Sequence, residues 1–332
     1  MTAAPLLSVE NLTLSFPGPQ GRSRVIEDVS FKLDGGEILG LVGESGCGKS
    51  VTALSIAGLV PTPPGRFENG RILFRGRNLL TMNESERRSI KGREIAMIFQ
   101  EPMTSLNPVF TVGDQIAEVF RTHLKLDRRE SWKRAVEALD MVRIPAAARR
   151  AGDYPHQLSG GMRQRVMIAI ALACKPALLI ADEPTTALDV TVQAQILELV
   201  QELTKELGTA VLLISHDLAL VAEVADRMAV AYAGQIIEEG AAAEIYAAQH
   251  HPYTRGLFHS MPQLGTRSGD TREMLTEIAG SVPSRPDRIT GCRFRERCAL
   301  RQAECAEDLA LFRGTLAARS RCILDRPQEV TT

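Results

Sequence analysis

A glycine-rich loop between an apolar run and a helical stretch carries the clearest chemistry in this sequence. The loop, residues 43–50, reads Gly-Glu-Ser-Gly-Cys-Gly-Lys-Ser and follows the apolar run 37–42. Glycines let such a loop turn its backbone N–H groups inward around an anion, and the N-terminus of the predicted helix 49–59 adds its dipole. We therefore predict a phosphate-binding loop, or P-loop.

The residue types of this loop suit a nucleoside triphosphate. Lys49 is predicted to reach the terminal phosphates, and the Ser50 hydroxyl to bind Mg²⁺. The other predicted nucleotide-binding positions of the loop and the helix start are Gly43, Ser45, Gly46, Cys47, Gly48 and Val51. By contrast, Cys174, in a later apolar stretch, is predicted to be a core residue.

Two adjacent carboxylates follow a later apolar strand. The predicted strand 177–181 ends at Asp182 and Glu183. Asp182 can hold the coordination shell of Mg²⁺, whereas Glu183, one residue farther out, can polarise an attacking water molecule. An ordinary buried strand ending in a turn would leave the two adjacent carboxylates unexplained. We therefore predict the second half of the nucleotide site at this position.

A long insertion separates the two halves of the predicted site. The stretch between Lys49 and Asp182 is far longer than a single crossover needs, and apolar residues recur at helical spacing over 111–139. The insertion ends with Leu-Ser-Gly-Gly at 158–161, where Ser159 can cap a helix and free N–H groups can face an anion. Taken alone, this stretch fits an ordinary capped helix equally well. The insertion is predicted to be a helical subdomain.

Length and composition indicate more than one domain and no membrane span. The 332 residues are 44% hydrophobic and 24% charged, with a formal net charge of −1. These values are ordinary for a soluble globular protein, and such a charge creates no field that recruits nucleic acid. The longest apolar stretch, 168–181, is interrupted by Lys175 and Pro176, and the first ten residues lack a signal-peptide pattern. We expect a chain that is neither secreted nor membrane-spanning.

The order of these motifs resembles that of the nucleotide-binding subunit of ATP-binding-cassette (ABC) transporters, over nearly the whole chain. Ala-Leu-Asp at 187–189 follows the two carboxylates as in that family. Gln100 looks like the family glutamine that touches Mg²⁺ and water. His216, after the predicted strand 210–214, looks like the histidine that contacts the terminal phosphate. The resemblance implies ATP and Mg²⁺ as ligands, with Lys49, Gln100, Glu183 and His216 as catalytic residues and Ser50, Gln100 and Asp182 around Mg²⁺.

The resemblance also implies a role for the distant glycine pair. In such ATPases two subunits pack head to tail, and the signature of one subunit covers the ATP held by the P-loop of the other. The signature residues here are Ser159, Gly160, Gly161 and Met162. ATP binding then shifts the pair toward a closed dimer, and hydrolysis releases it. Phe16 falls where the family places an aromatic ring against adenine, although a core phenylalanine is a fair alternative.

Two segments and two single residues of the chain resemble one branch of the family. The segments 100–108 and 251–257, together with Val51 and Met162, are similar to the ATPases of oligopeptide, dipeptide and nickel importers. This resemblance implies a second, related ATPase subunit, two membrane permeases and an extracytoplasmic solute-binding protein as partners, with no nucleic acid. The chain would lie peripherally on the cytoplasmic face of the membrane. The alternative is a soluble ABC-type ATPase of translation or DNA repair, which should carry two cassettes or a long coiled-coil insertion.

Four of the six cysteines lie close together near the C-terminus: Cys292, Cys298, Cys305 and Cys322. Stable disulfides are rare in the reducing cytoplasm where a P-loop ATPase works. The spacing lacks the paired cysteines of common zinc ribbons, and the surrounding arginines suit a negatively charged cluster. In the importer family the motif Gly-Cys-x-Phe-x-x-Arg-Cys, present here at 291–298, is associated with a 4Fe-4S cluster. We expect such a cluster, with zinc or another metal and free thiols as the alternatives.

The predicted fold is therefore α/β, with a RecA-like P-loop NTPase core and an antiparallel β subdomain. Residues 1–97 and 173–255 are predicted to form this core with its N-terminal β subdomain. An inserted helical signature subdomain is predicted over 98–172, and a C-terminal extension containing the four cysteines over 256–332.

Overall fold

The structure of this chain is a computed structural model that describes residues 4–19, 21–100, 105–186, 188–260, 278–307, 313–314 and 318–324. Parts of two predicted motifs, residues 101–104 and Ala187, lie outside the described residues. In the described part of the chain, no helix is long and apolar enough to cross a membrane.

Two β-sheets form the centre of the described structure. One is a four-stranded antiparallel sheet with the order β2-β1-β4-β5, and the other is a mixed sheet with the order β11-β12-β10-β9-β3-β8-β7-β6. The strands are β1 (Leu7–Gly18), β2 (Gly21–Leu33), β3 (Ile38–Val42), β4 (Arg66–Phe74), β5 (Arg77–Asn78), β6 (Ile95–Ile98), β7 (Leu178–Asp182), β8 (Ala210–Ser215), β9 (Arg227–Tyr232), β10 (Gln235–Ala241), β11 (Arg313–Gly314) and β12 (Ala318–Ser320).

The helices pack on both faces of the mixed sheet and form the insertion. They are α1 (Lys49–Ile56), α2 (Glu84–Ile90), α3 (Val112–Leu124), α4 (Arg128–Met141), α5 (Ala147–Arg150), α6 (Gly160–Leu172), α7 (Val190–Leu207), α8 (Leu218–Val224), α9 (Ala242–Ala248) and α10 (Pro252–His259). The predicted helix 49–59 is confirmed as α1, which ends three residues earlier.

The parallel part of the mixed sheet places the predicted site residues along one edge. Strands β3, β8 and β7 are neighbours and run parallel. All three are almost entirely buried, as expected for parallel strands covered on both faces. Their carboxyl ends therefore lie side by side, which is where open α/β sheets bind ligands. The P-loop follows β3, Asp182 ends β7 and His216 follows β8.

The helical insertion shares one apolar core with strands β6 and β7 and with α7. Helix α3 begins after Thr111, whose hydroxyl accepts a hydrogen bond from the backbone N–H of Asp114 at 3.2 Å. Buried Ile116 and Phe120, one turn apart on α3, belong to the same apolar cluster as Leu139 of α4. The predicted α/β architecture with a helical insertion and an antiparallel β subdomain is thus present.

The C-terminal residues dock on the core through aromatic rings and one short strand. Phe294 is buried, and its ring centroid lies 5.4 Å from those of both Tyr232 and Tyr253. Aromatic pairs of this geometry each contribute about 0.5–1.5 kcal/mol beyond their buried area. Strand β12 also pairs antiparallel with β10 of the mixed sheet. The exact domain boundaries stay predictions. Helix α10, residues 252–259, spans the predicted boundary between residues 255 and 256.

Candidate nucleotide-binding site

The P-loop has a backbone that requires glycine at two positions. Gly43 has φ of 144°, and a Cβ there would lie 2.1 Å from the carbonyl oxygen of Ala231. Gly48 has φ of 97°, and its Cβ would lie 2.6 Å from Cγ2 of Ile26. Since a contact shorter than 3 Å forces atoms to move, any larger residue at either position would displace the loop. The glycines thus let the loop pass close to neighbouring strands.

Lys49 is held inside this loop. Its side chain is buried, and Nζ donates hydrogen bonds to the carbonyl oxygens of Gly43 at 2.7 Å and Glu44 at 3.0 Å. Nζ also lies 3.7 Å from Sγ of Cys47. Burial raises the pKa of the Cys47 thiol, so this buried residue of the loop keeps its proton. The ammonium group is therefore positioned at the centre of the P-loop.

Ser50 and Asp182 meet across the edge of the sheet. The Ser50 hydroxyl donates a hydrogen bond to Oδ1 of Asp182 at 3.1 Å. Burial raises the pKa of Asp182, the Ser50 hydrogen bond lowers it, and the neighbouring Glu183 raises it. A hydroxyl beside a carboxylate is the hard oxygen pair that Mg²⁺ prefers, so these two side chains fit the ion by type and proximity.

Polar side chains that follow strands β6, β7 and β8 surround the Glu183 carboxylate. Its Oε2 accepts hydrogen bonds from Nε2 of Gln100 at 2.9 Å and from the Thr186 hydroxyl at 2.9 Å, and lies 3.4 Å from Nδ1 of His216. Glu183 has φ of 47°, a left-handed conformation that costs a non-glycine residue about 1–3 kcal/mol. Strain of this kind concentrates at functional positions. Sequence reasoning missed Thr186, although its hydroxyl only three residues after Glu183 was a usable signal.

A cavity of about 520 Å³ opens over these residues. P-loop residues and Glu183 lie on its wall, and Asp182 contacts the wall residue Ser50. The lining residues are Ser45, Gly46, Gly48, Lys49, Ser50 and Val51 from the P-loop and α1, Gln100 and Glu183 from the sheet edge, Ser23, Arg24 and Val25 from β2, Ala233, and Val282, Pro283, Ser284 and Pro286 from the C-terminal part. The lining thus joins the P-loop and Glu183 to part of β2 and to part of the C-terminal region.

Phe16 is close to the cavity but absent from its described lining. It pairs with Ser23 across β1 and β2, and its ring lies against Gly65, where a Cβ would be 3.2 Å from Cε1. Arg24 and Val25, which sequence reasoning did not single out, line the cavity. The role of Phe16 against adenine stays a prediction.

The signature residues lie on the helical insertion, away from the described cavity lining. Ser159 caps α6, and its hydroxyl accepts a hydrogen bond from the backbone N–H of Met162 at 3.4 Å. Gly160 and Gly161 form the first turn, where a Cβ would lie 3.5 Å from Leu188 and 3.0 Å from Val192. None of the signature residues is among the described residues that line the cavity around Lys49.

Arg297, in the C-terminal part of the chain, binds the P-loop. Its guanidinium donates to both carboxylate oxygens of Glu44, at 2.7 Å and 2.9 Å, and only 7% of the side chain is exposed. Tyr253 adds a second contact, since its hydroxyl accepts from the backbone N–H of Glu44 at 2.8 Å. A partly buried bidentate pair is stronger than an exposed pair such as Arg88 with Glu84, which contributes about 0.3–0.5 kcal/mol. From the sequence, the arginines near the C-terminus were interpreted only as surroundings of the predicted cysteine cluster, so the contact between Arg297 and Glu44 was missed.

The four C-terminal cysteines are free thiols near one another. The backbone N–H of Cys292 donates to the carbonyl oxygen of Cys305 at 2.8 Å. The pKa of Cys292 is raised to about 11: burial raises it most, a backbone hydrogen bond from Phe294 lowers it, and the neighbouring Cys305, Cys322 and Cys298 raise it. Among the described residues, however, no three His, Cys, Asp or Glu side chains are arranged as a metal site. The donor set thus fits a thiolate-bound metal by type and number, whereas its arrangement does not.

Comparisons with known proteins agree with this geometry. Residues 26–186 match the ABC transporter family, and residues 237–305 match the oligopeptide/dipeptide transporter C-terminal region. The chain is 53% identical over 292 residues to the oligopeptide transport ATP-binding protein OppD of Bacillus subtilis. The alignment covers 88% of this chain and 81% of that protein.

Solved structures give the same assignment. The dimeric ATP-binding cassette MJ0796, in a post-hydrolysis state with ADP and Pi, has a TM-score of 0.64 at 27% identity, over 71% of this chain and 98% of that one. The cbiO1 subunit of an ABC transporter complex from Clostridium perfringens has a TM-score of 0.63 at 27% identity, over 74% and 92%. These likenesses confirm the predicted cassette fold and the ATPase class. The chain belongs to the family of ABC transporter ATP-binding proteins, in the branch that carries the oligopeptide/dipeptide transporter C-terminal region.

Proposed function

We propose that the cavity over the P-loop binds MgATP and that the chain hydrolyses it to drive the import of peptides. The observation that carries the proposal is the meeting of Lys49, Ser50 and Glu183 on the wall of one cavity. These side chains supply a cation for the phosphates, a hydroxyl for the metal ion and a carboxylate for the water molecule. Hydrolysis would be accelerated because the site positions ATP and the water molecule and stabilises the charge on the phosphates.

Each residue has one task in the proposed reaction. Lys49 releases the loop carbonyls and binds the terminal phosphates, while the loop N–H groups surround them. Glu183 orients the attacking water and accepts its proton, held in place by Gln100 and Thr186. His216, whose side chain is 62% exposed, is free to turn from Glu183 toward the terminal phosphate. Ser50 and Asp182, with Gln100, would hold Mg²⁺, which neutralises charge on the phosphate oxygens.

The signature residues support a head-to-tail pair of ATPase subunits. Because Ser159 and its glycines lie away from the cavity of their own chain, we propose that they cover the ATP of a second, related ATPase subunit. Two membrane permeases and an extracytoplasmic solute-binding protein would complete the importer, with this chain on the cytoplasmic face of the membrane. The alternative, a soluble ATPase of translation or DNA repair, gains no support from the matched C-terminal region.

The peptide assignment rests on the matched C-terminal region and on the name of the B. subtilis relative. We expect cells in which Glu183→Gln replaces the wild-type chain to lose uptake of labelled di- or oligopeptides, because the transporter can no longer reset by hydrolysis. Uptake of a labelled free amino acid serves as the control and should not change. Peptide uptake at the wild-type rate would contradict the peptide assignment.

We also propose that Cys292, Cys298, Cys305 and Cys322 hold a 4Fe-4S cluster, with zinc as the alternative metal. The proposal is supported by four thiols that influence one another electrostatically and by the softness of thiolate ligands. A bound cluster would fasten a region that has little regular secondary structure in its described part. Loading would require the thiols to lose their protons.

Metal analysis of anaerobically purified protein tests the cluster. We expect about four irons and four sulfides per chain, with broad visible absorption, as for thiolate-bound clusters. Replacing Cys298 and Cys305 together by serine should abolish both, whereas Cys174→Ser, outside the group, should leave them unchanged. One zinc without iron, or full iron content in the double variant, would contradict the cluster.

A further inference from the structure

The C-terminal part of the chain reaches the nucleotide cavity itself. Val282, Pro283, Ser284 and Pro286 line the cavity together with the P-loop. These residues belong to a segment, 282–286, which we call the cavity segment. Two of its lining residues are prolines, whose fixed φ makes a rigid apolar wall, and Ser284 is exposed with a free hydroxyl. Such a wall does not resemble a phosphate site, which needs N–H groups and cations.

Contacts of the neighbouring residues show which end of the cavity the segment covers. The Ser23 hydroxyl of β2 donates to Oδ1 of Asp287 at 3.0 Å. Arg285 donates to Asp287 and reaches the carbonyl oxygen of Arg22 at 3.4 Å. The cavity segment therefore lies against β2. Since Lys49 and Glu183 mark the phosphate end, the β2 side is left for the ribose and base.

Arg297 connects the start of this segment to the P-loop. While two of its nitrogens bind Glu44, Nε donates to the carbonyl oxygen of Ala279 at 2.9 Å and Nη2 to that of Ile278 at 3.2 Å. One guanidinium thus fixes the loop that holds the phosphates and the backbone that leads into the cavity segment. Its hydrogen bonds to Glu44 raise the pKa of Arg297, so the guanidinium stays charged.

We propose that the cavity segment is the ribose- and base-side wall of the nucleotide site, supplied by the C-terminal part of the same chain. This inference rests on the proposed MgATP site and adds a subsite to it. The ligand group is the nucleoside of a nucleoside triphosphate. Proline rings offer flat apolar surface to a base, and the Ser284 hydroxyl can bond to a ribose or base heteroatom. Affinity for the nucleoside then depends on a part of the chain remote from the cassette motifs.

The test compares ATP with inorganic triphosphate, which has the phosphates but no nucleoside. Ser284→Trp should fill the β2 end of the cavity and weaken MgATP binding by at least about tenfold, the effect of 1.4 kcal/mol. Binding of magnesium triphosphate should change by less than about twofold. The matched control is Ser281→Trp, because Ser281 is also exposed but does not line the cavity. Asp287→Ala, which frees the segment from Ser23, should also weaken ATP selectively.

The outcomes separate this proposal from the one on which it rests. Wild-type or tighter ATP binding by Ser284→Trp would overturn the subsite, and so would an equal loss of ATP and triphosphate. In the same titrations Lys49→Met should lose both ligands. If Lys49→Met binds both as the wild type does, the MgATP site itself is wrong. Thermal melting of each variant confirms that the full chain is folded.

Discussion

Replacing Glu183 by glutamine is expected to reduce steady ATP hydrolysis by at least about 100-fold while MgATP binding stays near the wild-type affinity. Glutamine has the same shape and can still bond with Gln100 and Thr186, so the cavity wall should keep its structure. It lacks the negative charge that orients a water molecule and accepts its proton. Phosphate release by the purified full chain at saturating MgATP measures the rate, and calorimetry measures the affinity.

Glu206→Gln is the matched control for this variant. Glu206 is exposed near the end of α7, and its replacement removes the same charge far from the cavity. Hydrolysis by this control should equal that of the wild type. If Glu183→Gln retained hydrolysis within about threefold, general acid–base catalysis by Glu183, which is worth at least about 100-fold, would be excluded.

Replacing Lys49 by methionine is expected to weaken MgATP binding by at least about 100-fold. Methionine keeps the aliphatic stem, so the loss comes from the charge that would meet the terminal phosphates. Charge-assisted hydrogen bonds in a partly enclosed site are about twice as strong as neutral ones. Equilibrium titration with a fluorescent ATP analogue measures the change.

An exposed lysine provides the control for the charge. Lys205, on the last turn of α7, is exposed, and Lys205→Met should bind ATP as the wild type does. Lys49 also donates hydrogen bonds to two loop carbonyls, so its replacement removes loop contacts as well as a charge. The melting temperature of Lys49→Met shows whether the variant is still folded. Affinity within about threefold of wild type in a folded variant would remove Lys49 from the site.

The motifs that are contiguous in sequence were predictable from their residues. The loop 43–50 has positive φ at Gly43, Gly46 and Gly48, a local preference of glycine, and the strand before it and the helix after it were expected. The two carboxylates 182 and 183 also lie where a buried parallel strand must end. In these cases the sequence carries the structure because each feature needs only neighbouring residues.

The contacts between distant parts of the chain were not predictable in the same way. Arg297 binds Glu44 across 253 positions, and Phe294 packs against Tyr232 and Tyr253, which lie far from it in the sequence. No local pattern in a basic, proline-containing stretch specifies such a partner. Thr186 differs, since it was near the motif and its hydroxyl was overlooked. Cys292 and Cys298 pack against the same apolar cluster as Phe294, another contact that no local pattern specifies.

The most direct test of the central claim is hydrogen exchange of the full chain with and without a magnesium complex of a non-hydrolysable ATP analogue. The P-loop backbone N–H groups should donate to the phosphates, so exchange over residues 43–51 should slow by at least about tenfold. Peptides from 182–186 should slow as well, and the exposed surface of α7 should not change. Unchanged exchange over 43–51 at a saturating analogue concentration would contradict the assignment of this cavity as the MgATP site.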